Sequence, residues 1–231
     1  MKKLSSKPNT ILVFTKGTDF GQVKTRLRPF LNDLQSMELH LAFLQDSLEK
    51  IKSLNIDGYL YVVGDPNFHF KNSFPIFQQN GNDLGSRLHN AFEAQFMNHD
   101  RIVVIGTDSP DLPTERIQEA LLSLQNHDAV IGPTEDGGYY LLGLSKMIPT
   151  VFETIPWSTN EVFQKTLEKL HGYKTHVLES HYDVDVIEDL IKLKKNLEKE
   201  KSIAPFTQKW LDENWNALTL RLNDKLRNAP E

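Results

Sequence analysis

The sequence predicts an α/β fold in which a mostly parallel sheet carries helices on both faces. Short apolar runs rich in β-branched and aromatic residues recur along the chain, and stretches with helical spacing separate them. Strands that alternate with helices usually form parallel sheets of this kind. The adjacent runs at 129–132 and 138–144 break the alternation. They therefore predict an added antiparallel element.

Six short runs are predicted strands. The first, ILVFTK (11–16), is apolar at nearly every position and is followed by the glycine-containing GTDFG. Such a run is typical of a strand that is buried on both faces. In chain order the predicted strands are 11–16, 58–64, 101–105, 129–132, 138–144 and 174–178.

Six stretches are predicted helices, because their apolar residues recur at spacings of three and four. The first begins near Asn32 or Asp33, either of which can cap a helix. Within the alternating region the predicted helices are 33–52, 84–97, 113–125, 159–170 and 186–198. A sixth, amphipathic helix at 207–228 either closes the core or binds a partner. We therefore predict one α/β domain at 1–200 and a C-terminal helical extension at 201–231 packed on it.

Composition excludes several classes of protein. The 231 residues can bury a sizeable core, and the net charge of −5 does not favour general binding to nucleic acid. The chain has no cysteine, which rules out a disulfide framework, a thiolate nucleophile and a cysteine zinc site. No apolar run has the length of a membrane helix, and the start lacks the apolar segment of a signal peptide. We therefore expect a cytoplasmic protein that binds neither nucleic acid nor membrane.

The loop after the first strand, KGTDFGQVKTRLRP (16–29), is unusually basic. Its four cations are Lys16, Lys24, Arg26 and Arg28. Lysine and arginine both suit phosphate oxygens, and Gly17 and Gly21 let the backbone approach a ligand closely. The loop is not a Walker A motif. It is either a phosphate-binding loop or a solvated basic loop, and in both cases we expect it to be exposed.

Two acids follow the apolar run RIVVI, in GTDSPDLP (106–113). Asp108 lies at the carboxyl edge of this predicted strand, where a hard cation could bind a carboxylate together with substrate phosphates. Asp111 directly precedes a predicted helix, so it either caps that helix or supports the site without binding the metal. The alternative is that both acids only cap or turn the chain.

Two further loops carry acids. GPTEDGGYYLLG (132–143) has Glu135 and Asp136 before paired glycines, and it is either a hairpin turn or a loop that leaves room for a substrate. In YDVDVIEDL (182–190), Asp185 either caps the next helix, with Glu188 at capping-box distance, or provides a second metal carboxylate. Ligands of open α/β sheets bind beyond the carboxyl ends of the strands. The loops therefore predict one site, where cations hold phosphates and acids hold a metal that bridges them.

The motifs also occur in a known order. The chain resembles the bacterial DUF2064 transferases, also labelled radical-SAM/selenodomain-associated transferases, of the glycosyltransferase-A-type superfamily. It is more remotely similar to phospholactate and molybdenum-cofactor guanylyltransferases. The resemblance extends from about 11 to 190 and rests on VKTRL, NDLGSRLHNAF, GTDSPDLP, GPTEDGGYYLLG, IPWST and DVDVIEDL. It implies the Rossmann-like fold of nucleotide-diphospho-sugar transferases.

The resemblance also implies roles for individual residues. The residues implied to bind nucleotide are Lys16, Gly21, Lys24, Arg26, Asp83, Gly85 and Asp108. Those implied to bind the acceptor substrate are Asp136, Gly137 and Gly138, and those implied to bind Mg²⁺ or Mn²⁺ are Asp108 and Asp185. The catalytic set implied is Lys24, Arg26, Asp108 and Asp136.

The implied activity is a metal-dependent transfer from a nucleoside phosphate donor to a small-molecule acceptor. A nucleotidyltransferase uses a nucleoside triphosphate, whereas a glycosyltransferase uses a nucleotide sugar. Both need the same metal and the same cationic loop, so the residues leave the two reactions open. The alternative from another class is a nucleotide-binding protein that is not an enzyme. The oligomeric state is not predicted.

Overall fold

The computed structural model describes residues 8–19, 21–68, 70, 73–200 and 202–227. The strands are β1 (Asn9–Lys16), β2 (Asp57–Val63), β3 (Ile76–Gln78), β4 (Arg101–Ile105), β5 (Ala129–Pro133), β6 (Tyr139–Leu144) and β7 (Thr175–Val177). The α-helices are α1 (Asp33–Ser53), α2 (Leu84–Phe96), α3 (Thr114–Ser123), α4 (Val162–Lys169), α5 (Ile187–Lys199) and α6 (Pro205–Arg227). Two short 3₁₀-helices lie at Thr25–Leu27 and Pro149–Phe152.

The described strands form a seven-stranded sheet in the order β3-β2-β1-β4-β6-β5-β7. Strand β6 pairs antiparallel with both β4 and β5, and the remaining pairings between described strands are parallel. The predicted antiparallel element is therefore confirmed. The strand order reverses between β1 and β4, which creates a crevice at the carboxyl ends of these two strands.

Strand β1 lies at the centre of the core and is buried on both faces, as predicted. Ile11 and Val13 pack with residues of α1 and α3 on one face of the sheet. Leu12 and Phe14 pack with residues of α2 and the 149–152 helix on the other face. Helices on both faces fix the sheet firmly, so the loops at its carboxyl edge project from a rigid support.

Helix α6 lies against α1 through an apolar surface and a buried cap. Its Trp210, Leu211 and Leu218 belong to a third core cluster, which also contains residues of α1 and α5. The buried Asp46 of α1 accepts hydrogen bonds from the backbone nitrogens of Phe206 (3.0 Å) and Thr207 (2.9 Å). A carboxylate from a neighbouring helix therefore satisfies the free amides at the start of α6.

The structure corrects some predicted elements. Strand β3 was not predicted, because it is a three-residue edge strand whose side chains are all exposed, so it has no alternating pattern. Helix α4 begins at Val162 and not at 159, since the preceding segment turns through Ser158 at φ 65°. The apolar spacing of α1 includes Leu34, but Leu34 is 53% exposed in the first turn of the helix. Among the described helices, none combines the length and the apolar character needed to cross a lipid bilayer.

Candidate functional site

Four loops meet at one edge of the sheet. Three of them follow the carboxyl ends of β1, β4 and β7, which run in the same direction. The fourth loop joins β5 to β6. Strand β6 is antiparallel to both β4 and β5, so this loop lies at the same edge as the other three. These are the four loops to which the sequence assigned chemistry.

Lys24 and Asp108 form an ion pair across the crevice between β1 and β4. The Lys24 ammonium also donates to the carbonyl of Val184 (2.8 Å) and lies 4.8 Å from the centre of the Phe43 ring. The side chain of Lys24 is 3% exposed, whereas that of Asp108 is 48% exposed. The expectation that the loop after β1 is exposed is therefore wrong for Lys24, because its ammonium is turned inward to three partners.

Arg26 and Asp185 form a second ion pair between the loops after β1 and β7. The distance from Arg26 Nη1 to Asp185 Oδ2 is 3.4 Å, and the two side chains are 71% and 46% exposed. Each of the two predicted metal carboxylates thus contacts one of the cations predicted to bind phosphate.

The carboxylates shift one another's pKa. Partial burial raises the pKa of Asp108, but the Lys24 ammonium outweighs this effect and holds the pKa below its ordinary value. Burial raises the pKa of Asp185, and the negative charges of Asp108 and Asp136 add to the rise. Burial and the Asp108 carboxylate raise the pKa of Asp183 to about 7, although Ser109 Oγ donates a hydrogen bond to it at 2.6 Å. The negative charge of Asp108 therefore adds to the effect of burial on the pKa of both neighbouring acids.

Asp183 should make the free protein less stable as the pH rises. Because its folded pKa of about 7 exceeds the unfolded value of about 3.9, the folded state binds more protons between these pH values. Stability from this group is therefore lost from about pH 4 to pH 7. We expect the free energy of unfolding of Asp183→Asn to exceed that of wild type by about 2–4 kcal/mol at pH 8. At pH 4 we expect no such difference. Urea denaturation at several pH values measures this difference, and a gain independent of pH would contradict it.

Asp111 is buried and does not cap helix α3, so the capping alternative is wrong. Pro113 occupies the N-cap position, and no side chain caps the helix there. The Asp111 carboxylate instead accepts hydrogen bonds from His181 Nε2 (3.1 Å), the Tyr182 hydroxyl and Asn196 Nδ2 (3.4 Å). It therefore ties the loop after β4 to the loop after β7.

Asp185 also does not cap a helix with its side chain. The acid that caps the start of α5 is Asp189, whose Oδ2 accepts from the backbone nitrogens of Asp185 (3.0 Å) and Val186 (2.9 Å). The capping alternative for Asp185, with Glu188 as its partner, is therefore wrong. The Asp185 carboxylate is left facing Arg26 in the crevice.

The loop between β5 and β6 is a tight turn held by its own side chains. Asp136 Oδ1 accepts from Thr134 Oγ1 (2.6 Å) and from the backbone nitrogen of Gly138 (3.1 Å). Gly137 has φ 92°, and a Cβ there would lie 2.0 Å from the carbonyl oxygen of Asn160. The turn and the nearby start of α4 thus explain these residues without a substrate. Their assignment to the acceptor stays a prediction.

The remaining predicted nucleotide ligands have structural roles of their own. Lys16 Nζ donates to the carbonyl of Gln22 (3.1 Å), and Gly21 adopts φ 74°. Asp83 caps helix α2 by accepting from the backbone nitrogen of Ser86 (2.7 Å). A Cβ at Gly85 would lie 2.7 Å from Trp157 Nε1, so this glycine is required by packing against the protein. Their nucleotide contacts stay predictions.

Two residues near the crevice were not predicted. His40 of α1 is buried, and its Nε2 lies 3.2 Å from Thr15 Oγ1 and 3.1 Å from the carbonyl oxygen of Lys16. Burial lowers its pKa, which favours the neutral ring. Nothing in the local sequence of α1 distinguishes it from an ordinary helix residue. Asp183 did have a signal, since it precedes Asp185 by two residues, but this position alone indicates no role.

The residues fit a divalent metal only if substrate phosphates provide some of its ligands. Among the described residues, no group of three or more acidic, histidine or cysteine side chains has the arrangement of a metal site. Asp108 and Asp185 do offer half-exposed carboxylate oxygens, which are the ligands that hard cations prefer. Mg²⁺ is commonly bound by one or two carboxylates together with substrate phosphates. The pair therefore suits a metal that arrives with a phosphate ligand.

This chain is similar to known proteins in both sequence and fold. A family model, described as an uncharacterized protein conserved in bacteria (DUF2064), matches residues 34–159. A 2-phospho-L-lactate guanylyltransferase of Methanocaldococcus infernus is 28% identical over 193 residues, which cover 79% of this chain and 82% of that protein.

Two solved structures extend the comparison. A Desulfovibrio desulfuricans protein, provisionally assigned as a nucleotide-diphospho-sugar transferase, superposes with a TM-score of 0.86 at 34% identity, over 92% of this chain and 97% of that one. The Mycobacterium tuberculosis protein Rv0371c, solved in complex with manganese, has a TM-score of 0.53 at 14% identity, over 82% and 98%. The second likeness concerns the fold alone. With a family match over more than half of its length, this chain belongs to the DUF2064 family, and it is a transferase enzyme with the nucleotide-diphospho-sugar-transferase fold.

Proposed function

We propose that this enzyme transfers a nucleotidyl group from a nucleoside triphosphate to a small acceptor in a reaction that depends on Mg²⁺ or Mn²⁺. The observation that carries the proposal is the meeting of Lys24 and Arg26 with Asp108 and Asp185 at the switch point of the sheet. Each cation proposed to bind phosphate is in direct contact with an acid proposed to bind the metal. The guanylyltransferase relative supports a nucleotidyl reaction, and the half-exposed carboxylates of Asp108 and Asp185 support the metal.

The chain's own residues would contribute positioning and charge. In the proposed reaction an acceptor oxygen attacks the α-phosphorus, the bond to the bridging oxygen breaks, and pyrophosphate leaves. Lys16 and Arg26 would neutralise the phosphate oxygens at the mouth of the crevice. Asp108 and Asp185 would hold the metal, which would stabilise the charge that develops on the phosphates.

Glycosyl transfer is the second candidate. The Desulfovibrio desulfuricans protein, which is 34% identical to this chain, is provisionally assigned to nucleotide-diphospho-sugars. In that reaction the acceptor attacks the sugar carbon and a nucleoside diphosphate leaves. The same cations and the same metal would serve it, so the released product distinguishes the two reactions.

The deciding experiment follows the released product. The enzyme is incubated with Mg²⁺, each nucleoside triphosphate or nucleotide sugar, and a panel of small phosphorylated hydroxy acids. The first acceptor to test is 2-phospho-L-lactate, the compound in the name of the relative. Pyrophosphate released from a triphosphate supports the proposal. A nucleoside diphosphate released from a nucleotide sugar supports glycosyl transfer instead.

Nucleotide should stabilise the fold strongly only when a divalent metal is present. The physical reason is that two half-exposed carboxylates face the expected phosphate position and repel it until a metal neutralises them. At a hundredfold excess of ligand over Kd, we expect about 2.7 kcal/mol of stabilisation. A thermal melt with a panel of nucleotides, with Mg²⁺ or with chelator, measures it. An equal shift in chelator would contradict the metal requirement.

A further inference from the structure

The four charged groups of the site neutralise each other in two pairs. Lys24 contacts Asp108, and Arg26 contacts Asp185. In both pairs the cation comes from the loop after β1, and the acid comes from another loop at the same edge. A metal bound by the two acids and a phosphate bound by the two cations would each have to compete with these pairs.

The two pairs differ in how firmly they are held. Lys24 is buried and has the Val184 carbonyl and the Phe43 ring as further partners, so its ammonium is fixed. Arg26 is 71% exposed, and its contact with Asp185 is a single long one of 3.4 Å. Exposed ion pairs of this kind contribute little to stability and exchange easily. Arg26 is thus the cation that a ligand can draw away.

We propose that Arg26 is an exchangeable counter-ion that covers Asp185 until nucleotide binds. Phosphate oxygens then attract the guanidinium, with which they form stronger bidentate hydrogen bonds, and Asp185 becomes free for the metal. The inference rests on the proposed function, and it adds a mechanism by which one residue couples the two ligands.

The coupling has a direction that can be measured. If Arg26 competes with the metal for Asp185, then the metal alone binds more weakly than it would to the two carboxylates without Arg26. Nucleotide relieves this competition, and by linkage the metal strengthens nucleotide binding by the same factor. Removing Arg26 should therefore have opposite effects on the two ligands. Metal alone should bind more tightly, while nucleotide should bind more weakly.

The test is to titrate the protein with Mn²⁺ in the absence of nucleotide. The electron paramagnetic resonance signal of the free ion reports how much Mn²⁺ stays unbound. We expect Arg26→Gln to bind Mn²⁺ alone about two- to fivefold more tightly than wild type, the size that an exposed pair allows. The matched control is Arg28→Gln, which removes the same charge from the same loop. Arg28 pairs with Asp33 at 3.4 Å, so its loss should leave Mn²⁺ affinity unchanged. Arg26 is exposed, so its variant should fold.

A second titration with GTP and Mn²⁺ completes the test. We expect the gain in Mn²⁺ affinity caused by GTP to be smaller in Arg26→Gln than in wild type. Unchanged or weaker binding of Mn²⁺ alone to Arg26→Gln, or an equal gain in Arg28→Gln, would overturn the exchange and leave the proposed function standing. No Mn²⁺ binding by wild type with any nucleoside triphosphate would overturn the proposed metal dependence, and the exchange with it.

Discussion

We expect Asp108→Asn to abolish the metal-dependent stabilisation by nucleotide, about 2.7 kcal/mol at a hundredfold excess over Kd. Asparagine keeps the size of aspartate and can still accept from Lys24, but it lacks the charge that a hard cation needs. Turnover should fall about 10²–10³-fold, the size observed when one charge-stabilising group of an active site is removed. The free protein should also lose about 1–3 kcal/mol, because the buried Lys24 ammonium loses its counter-charge.

Thermal melts with nucleotide, titrated with Mg²⁺, measure the first effect, and product release measures the second. Asp33→Asn is the matched control, since Asp33 is a half-exposed carboxylate that pairs with Arg28 and not with Lys24 or Arg26. It should keep the full response to Mg²⁺. A normal response in Asp108→Asn, with a lost response in Asp111→Asn, would show that the metal lies at Asp111 and not at Asp108.

Asp111→Ala should cost about 3–5 kcal/mol of unfolding free energy. The carboxylate is buried and accepts three hydrogen bonds, so its removal leaves the donors of His181 and Tyr182 without an acceptor. Asn196 loses its bond to Asp111 and keeps only its bond to the Tyr182 hydroxyl (3.0 Å). This loss is a large fraction of the roughly 5–15 kcal/mol that holds a typical domain together. The loss of a simple helix cap would cost only about 0.5–2 kcal/mol.

Urea denaturation distinguishes these two outcomes. The control is Glu115→Ala, which removes an exposed acid from the first turn of α3, where the helix dipole is worth about 0.3–1 kcal/mol. Asp111→Asn keeps an acceptor and should fall between the two variants. A cost for Asp111→Ala no greater than that for Glu115→Ala would contradict the buried network.

The order of the strands and helices along the chain could be predicted from the sequence, and so could the edge of the sheet at which the candidate site lies. Apolar runs such as ILVFTK must be buried on both faces, and helical spacing separates them, so a mostly parallel sheet follows. Loops after parallel strands meet at one edge, and this is where the structure places Lys24, Asp108 and Asp185. Strand β3 could not be predicted, because a short edge strand has no hydrophobic pattern.

The tertiary structure alone decided what each charged side chain contacts. Local sequence made Asp111 and Asp185 look like helix caps, since each precedes a helix. The structure instead buries Asp111 against the loop after β7 and turns Asp185 toward Arg26, 159 residues away in the chain. Lys24 looked like a surface cation but lies inward against Phe43. Periodicity reports which face of an element is buried, whereas the partner of a charge depends on which distant loops the sheet brings together.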